Sequence, residues 1–344
     1  MRLPPQDPDA PVRAQELSKR YGDVQAVDSI DLRVEPSDVY GFLGPNGAGK
    51  TTALRMLLGL IRPTAGSATL FGRDPLIHGA RALEGVAGFV EAPRFYPYLT
   101  GRKNLELVAA LDGGGSAERI DSALDVVELR DRARHKVGGY SHGMKQRLGI
   151  AGALLRNPRL MLLDEPATGL DPAGMRDMRQ LIRRLAEAGM TVLLSSHQLA
   201  EVEELCNRVG IIRSGRIVFE GSLQDLRAGS GTGYRLRTTD DARALAICQS
   251  RPDVEEAHAA GDGLRLRAGT QAAAALSIAL AQADIGITAL IPETATLEDL
   301  FFRLTEGDGA GPTLTGEPGG GPGAGDQDRG EVPVGGPPRQ EQPV

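Results

Sequence analysis

The run Val39-Tyr-Gly-Phe-Leu43-Gly44-Pro45-Asn46-Gly47-Ala48-Gly49-Lys50-Thr51-Thr52 decides how this 344-residue chain is read. It matches the phosphate-loop pattern G-x-x-x-x-G-K-[ST] without deviation. An apolar run, Val39–Leu43, precedes the loop, and a helical pattern on Leu54, Leu57 and Leu58 follows it. Strand, glycine loop and helix suit an anion site. The glycines let successive backbone N–H groups turn inward around a phosphate. Lys50 places a point charge on the β and γ oxygens, and the Thr51 hydroxyl offers an oxygen to Mg²⁺. Thr52 begins a helix whose N-terminal dipole favours the same anion.

Further along, Leu160-Met-Leu-Leu-Asp164-Glu165 reads as a strand apolar on both faces that ends in two carboxylates. Acids at the C-terminal end of a strand lie where open α/β sheets bind ligands. By position Asp164 holds Mg²⁺ and Glu165 polarises a water for attack on the γ-phosphate. An acid pair after four apolar residues is common in itself. Downstream of a phosphate loop it is specific.

Between these motifs, Tyr140-Ser141-His142-Gly143-Met144-Lys-Gln-Arg opens a helical pattern that stops at Asn157-Pro158. Ser141 and the amides at that N-terminus form a second anion site, which the chain's own phosphate loop does not need. Asp164-Glu-Pro-Ala-Thr-Gly-Leu-Asp171-Pro and Ser195-Ser196-His197 follow in order. In order and spacing the set resembles the nucleotide-binding domain of ATP-binding-cassette (ABC) transporters, across about residues 12–228. The resemblance implies ATP as substrate with Mg²⁺, and a homodimer formed head-to-tail on ATP binding. Each ATP would lie between one chain's phosphate loop (Gly44–Thr52) and the other's Ser141 and Gly143. It further implies that His197 contacts the γ-phosphate, that Asp171 works across the interface and that Tyr21 stacks on adenine.

Two positions depart from the family pattern. The signature, usually Leu-Ser-Gly-Gly-Gln, reads Tyr-Ser-His-Gly-Met, so His142 replaces a glycine. The loop that usually carries a Gln near Mg²⁺ reads Gly88-Phe-Val-Glu91-Ala-Pro-Arg-Phe-Tyr-Pro-Tyr, with Glu91 at the Gln position. That resembles the subgroup serving drug, bacitracin-like and lantibiotic exporters, and it makes Glu91 a candidate metal neighbour beside Thr51 and Asp164. Pro93–Tyr98 would then face a membrane subunit.

The expected fold class is α/β: a phosphate-loop NTPase cassette with a mixed sheet and a helical subdomain, plus a small α+β C-terminal domain. Strand-like runs at Ile30–Val34, Val39–Leu43, Ala68–Leu70, Leu160–Leu163, Thr191–Leu194, Arg208–Ile212 and Arg216–Phe219 alternate with helical patterns, which favours a largely parallel sheet. A Gly/Ser break precedes residues 232–305. These read as a split βαββαβ unit with strands 234–238, 254–259, 264–268 and 286–291, helices 242–249 and 271–283, and a short helix 296–304. That part resembles the tail domain of ATPases paired with ABC-2-type permeases, including daunorubicin-resistance types. Residues 1–11 and 306–344 are expected to be disordered; about half of 307–344 is Gly or Pro.

Composition narrows the classes. Net charge is −6, which favours neither nucleic acid nor an anionic membrane surface. The two cysteines have no metal or redox spacing, and no run of apolar residues is long enough to span a bilayer. The chain therefore reads as cytoplasmic, held at the inner face of the membrane by an ABC-2-type transmembrane permease. Export of a drug, antibiotic or peptide is the leading function. An importer ATPase, or a non-transport ABC ATPase acting as a nucleotide switch, is the alternative. Ribosome-acting relatives usually carry two cassettes and chromosome-type ones a long coiled coil; this chain shows one cassette and no sustained heptads.

Overall fold

The computed structural model describes residues 10–112, 115–228, 232–261, 263–294 and 301. Its first elements are β1 (Val12–Tyr21), β2 (Val24–Val34) and β3 (Val39–Leu43). Then come α1 (Lys50–Leu57), β4 (Ala65–Leu70), α2 (Pro75–His78) and β5 (Val86–Phe89). A helical stretch follows with α3 (Gly101–Leu111), α4 (Ile120–Val126) and α5 (His142–Leu154). The cassette closes with β6 (Leu160–Asp164), α6 (Pro172–Glu187), β7 (Thr191–Ser196), α7 (Leu199–Leu205), β8 (Arg208–Arg213), β9 (Arg216–Ser222) and α8 (Leu223–Ala228).

Six strands form the main sheet in the order β5-β6-β7-β3-β8-β9. All pairings are parallel except β8 with β9. Every residue of β3, β6 and β7 is buried, as a sheet covered on both faces requires. The covering falls to two apolar clusters. Leu43, Met161, Leu163, Val192 and Leu194 pack on one side with α5 and α6; Tyr40, Phe42, Leu160, Leu162 and Leu193 pack on the other with α1 and β2. Fully burying one such leucine contributes about 1.5–3 kcal/mol.

The strands read at Ile30–Val34 and Ala68–Leu70 do not join that sheet. They belong to β2 and β4, which flank β1 in a separate antiparallel sheet of order β2-β1-β4. The β1–β2 hairpin turns at Gly22, whose φ of 54° suits a residue without Cβ. Neither β1 nor β5 stood out in sequence. Glu16 of β1 and Ser29 of β2 have positive φ, and register shifts interrupt the period-two alternation that marks a strand. Ala10 and Pro11, assigned from sequence to a disordered start, are in place. Ala10 is buried, and the Pro11 carbonyl accepts a hydrogen bond from the Phe71 amide. The remaining residues of that start lie outside the described set.

Beyond α8 the chain builds β10 (Thr232–Thr238), α9 (Asp241–Ser250), β11 (Val254–Ala260), β12 (Gly263–Ala268), α10 (Thr270–Gln282) and β13 (Ile287–Thr294). This is the βαββαβ order read from sequence. Its four strands form one antiparallel sheet, β11-β12-β10-β13, around a core that includes Leu236, Cys248, Leu264, Leu276 and Leu280. Of the short helix read at 296–304, Phe301 alone is described; it is helical and packs against the cassette core. The rest of that helix and the tail 306–344 lie outside the described residues. No helix among the described residues is long and apolar enough to cross a membrane.

Candidate active site

Three segments meet at the C-terminal ends of β3, β6 and β7. The phosphate loop leaves β3 with the Gly44 amide donating to the Ser196 carbonyl of β7. Gly44 has no room for a side chain, since a Cβ there would stand 2.4 Å from the Ile212 carbonyl oxygen. Gly49 has φ 110° and is equally hemmed in by the Ala26 carbonyl. It hands the chain to α1, so Lys50, Thr51 and Thr52 supply first-turn amides that lack an intrahelical acceptor. Pro45, Asn46, Gly47 and Ala48 form the arch between, closed by the Ala48 amide on the Pro45 carbonyl at 3.2 Å.

Lys50 is 4% exposed and lies back along this arch. Its Nζ donates to the carbonyls of Gly44 (2.8 Å) and Pro45 (3.1 Å) and stands 3.3 Å from Glu165 Oε1. Thr51 Oγ1 donates to Asp164 Oδ2 at 2.8 Å, which joins the loop to β6. The other oxygen of Asp164 accepts from Ser195 Oγ at 2.5 Å. Ser195 Oγ also accepts the Glu165 amide at 2.9 Å. Ser195 thus fixes both carboxylate residues. It was quoted in sequence beside His197 but given no role; a hydroxyl at the end of a fully buried strand was the available signal.

Glu165 sits just past β6 with φ 46°, a left-handed backbone uncommon for a residue other than glycine. Its Oε2 accepts the Thr168 hydroxyl at 2.9 Å and lies 3.1 Å from His197 Nδ1. Burial pushes this carboxyl up. The Thr168 hydrogen bond, Lys50 and His197 outweigh that and hold it below its ordinary value. Glu165 is therefore a deprotonated hydrogen-bond acceptor at neutral pH.

Thr51 and Asp164 offer hard oxygen atoms. No group of three or more His, Cys, Asp or Glu among the described residues could hold a metal. A pair of oxygens fits Mg²⁺, which takes its remaining ligands from substrate phosphates and water. Glu91 follows β5 with φ 72°, and its carboxylate is ion-paired with Arg55 of α1. The pair engages Oε1 of Glu91. Tyr21 closes β1 at the hairpin; its ring is 46% exposed, with Lys19 Nζ 5.0 Å from the ring centroid.

The remaining candidates form a second cluster. Ser141 caps α5 by accepting the Met144 amide, and Asp171 caps α6 by accepting the Gly174 amide, both at 3.2 Å. Ser141, His142, Gly143, Gly169, Asp171 and Arg147 line one cavity of about 230 Å³. A cap uses an acceptor lone pair of the Ser141 hydroxyl, so its proton remains available to an anion.

Residues 27–168 match the family described as ABC transporter. Over 298 residues the chain is 38% identical to the bacitracin transport ATP-binding protein BcrA of Bacillus licheniformis, covering 86% of this chain and 97% of that protein. It is 39% identical over 228 residues to the daunorubicin resistance ATP-binding protein DrrA3 of Streptomyces coeruleorubidus, covering 65% and 72% respectively. Among solved structures, the ATP-binding subunit of an ABC transporter aligns with TM-score 0.57 at 28% identity, over 63% of this chain and 92% of that one. A dimeric ATP-binding cassette in a post-hydrolysis state, bound to ADP and Pi, aligns with TM-score 0.54 at 26% identity, over 62% and 98%. Phosphate loop, acid pair, signature helix and His197 stand in one fold with relatives matched almost end to end, and the chain belongs to the ATP-hydrolysing, ATP-binding subunits of ABC transporters.

Proposed function

We propose that this chain hydrolyses Mg-ATP within an ATP-closed homodimer and drives export of a drug, antibiotic or peptide through a separate ABC-2-type permease at the cytoplasmic face of the membrane. The observation that carries the dimer is the division of the machinery into two clusters. Lys50, Thr51, Asp164, Glu165 and His197 are joined by hydrogen bonds and ion pairs, whereas Ser141 and Asp171 line a cavity of their own. The dimeric relative bound to ADP and Pi supports pairing. The cargo class follows from the relatives whose names specify bacitracin transport and daunorubicin resistance; the former matches through the C-terminal sheet as well. No relative named above supports an importer or a nucleotide switch.

In this reading the phosphate-loop amides and Lys50 bind the β- and γ-phosphates, and Tyr21 stacks on adenine. Thr51 and Asp164 would hold Mg²⁺, which would supply neutralisation of charge on the phosphate oxygens. Glu165 accepts the proton of the attacking water as the new P–O bond forms at the γ-phosphate. The bond to the bridging oxygen breaks, and ADP and phosphate leave. His197 steadies the γ-phosphate. Glu91, paired with Arg55 on the loop facing the permease, links that partner to α1 and the nucleotide.

Mixing two inactive variants tests the pairing. Lys50→Ala damages the phosphate loop and Ser141→Arg fills the signature cavity. A mixed dimer holds one intact composite site and one doubly broken site. Mixed samples should recover part of the ATPase activity that each variant lacks alone. No recovery, with no ATP-dependent dimer on size-exclusion chromatography, would remove the dimer from the reading.

A further inference from the structure

His142 opens α5 and touches both the loop after β6 and the signature cavity. Its Nε2 lies 3.2 Å from the Thr168 carbonyl oxygen. A carbonyl can only accept, so the ring carries its proton on Nε2. Thr168 then donates its own hydroxyl to Glu165 Oε2 at 2.9 Å. One residue thus separates the first residue of the signature helix from the carboxylate that receives the water proton. The intervening loop fits closely against α5. Gly169 has φ 75°, and a Cβ on it would stand 3.5 Å from His142 Nε2; a Cβ on Gly143 would meet Leu170 at 3.6 Å. His142 also lines the cavity with Ser141, Gly143, Asp171 and, from the same loop, Gly169.

We infer that His142 is a positioning residue that reports occupancy of the signature cavity to Glu165 of the same chain. The inference rests on the paired-chain reading above, in which that cavity receives the γ-phosphate of ATP bound to the partner. An entering phosphate competes with the Thr168 carbonyl for the Nε2 proton. When the proton turns to phosphate, the loop 168–170 loses its tie to α5. The Thr168 hydroxyl then no longer holds Glu165 Oε2 in the resting position. ATP on one chain thereby sets the base of the other, and the two sites of the dimer act together. A residue at 142 without a side-chain donor makes neither bond.

The test measures steady-state ATPase activity of the full chain against ATP concentration. Size-exclusion chromatography with light scattering follows ATP-dependent dimerisation in a Glu165→Gln background. Two coupled sites allow a Hill coefficient approaching about 2. The wild type should approach that value, and His142→Ala should fall to about 1 while still dimerising with ATP. His142→Gln, whose amide nitrogen reaches about as far as Nε2, should recover most of the cooperativity. A histidine that merely caps or packs would change maximal rate or melting temperature and leave the Hill coefficient alone. That result, or a Hill coefficient of 1 in the wild type, overturns the relay. Failure of the Glu165→Gln protein to dimerise with ATP overturns the paired-chain reading instead, so the two failures are distinguishable.

Discussion

The two polar clusters, one at the phosphate loop and one at the signature helix, differ in how their groups are engaged. Around the phosphate loop the charges are already paired with one another. Lys50 lies against two carbonyls and Glu165, Asp164 holds two hydroxyls, and Glu165 is held by Thr168 and His197. Around the signature cavity Ser141 and Asp171 are spent only on capping helices, and the cavity stands open between them. The first cluster must exchange internal bonds for bonds to a ligand. The second need only receive one. Substitutions in the first should therefore act on chemistry, and those in the second on stability and assembly.

The largest effect is expected from Glu165→Gln. It keeps the shape and the Thr168 contact but cannot accept a proton. Turnover should fall about 10²–10⁴-fold, or about 3–5 kcal/mol on the barrier, with ATP still bound. Rapid-quench hydrolysis alongside equilibrium nucleotide binding measures both. Wild-type turnover would take Glu165 out of the reaction and erase the contrast.

Much of this was legible in sequence because it depends on local spacing. Gly44–Thr51, the apolar strand before Asp164 and the helix stop at Asn157-Pro158 each announce a conformation through neighbours in the chain. What was not legible depends on distant partners. Ser195 matters because β7 lies beside β6, a pairing no local pattern specifies. β5 is a short edge strand whose partner follows by seventy residues of chain, most of them helical subdomain. Ile30–Val34 looked like a strand and was one, but its antiparallel partner β1 placed it in a different sheet. Glu91 was picked out by motif position; its pairing with Arg55 comes from the packing of α1 against the loop.

An intermediate effect sharpens the comparison from the other cluster. Ser141→Ala removes the N-cap of α5. Urea unfolding of the nucleotide-free chain should show a loss of about 1 kcal/mol, within the 0.5–2 usual for such caps. An unchanged stability would mean that the hydroxyl is idle until a phosphate arrives.

The smallest effect concerns Glu201 of α7, which accepts the Ser196 hydroxyl at 2.6 Å while its other oxygen has no hydrogen-bond partner. Burial raises its carboxyl above the ordinary value, opposed in part by that hydroxyl. The folded chain therefore binds this proton more tightly than the unfolded chain. Stability from this group falls as pH rises from the unfolded value of about 4.3 through the raised folded one. Glu201→Gln does not titrate, so its stability relative to wild type should improve from pH 4 to pH 7.5 in urea titrations. An identical gap at both pH values would show that Glu201 titrates alike in the folded and unfolded chains.

The restraints on Glu165 bear on how such a subunit idles. Two of its three partners, Lys50 and His197, are groups that the γ-phosphate would claim in the function proposed above. Both lower the basicity of the carboxylate while they face it. In that proposal substrate arrival would draw them onto phosphate and so remove two of the groups that lower the carboxylate's basicity. On the proposed reading an empty subunit adrift from its permease would carry a muted base beside bulk water, a built-in guard against futile combustion of the cell's fuel.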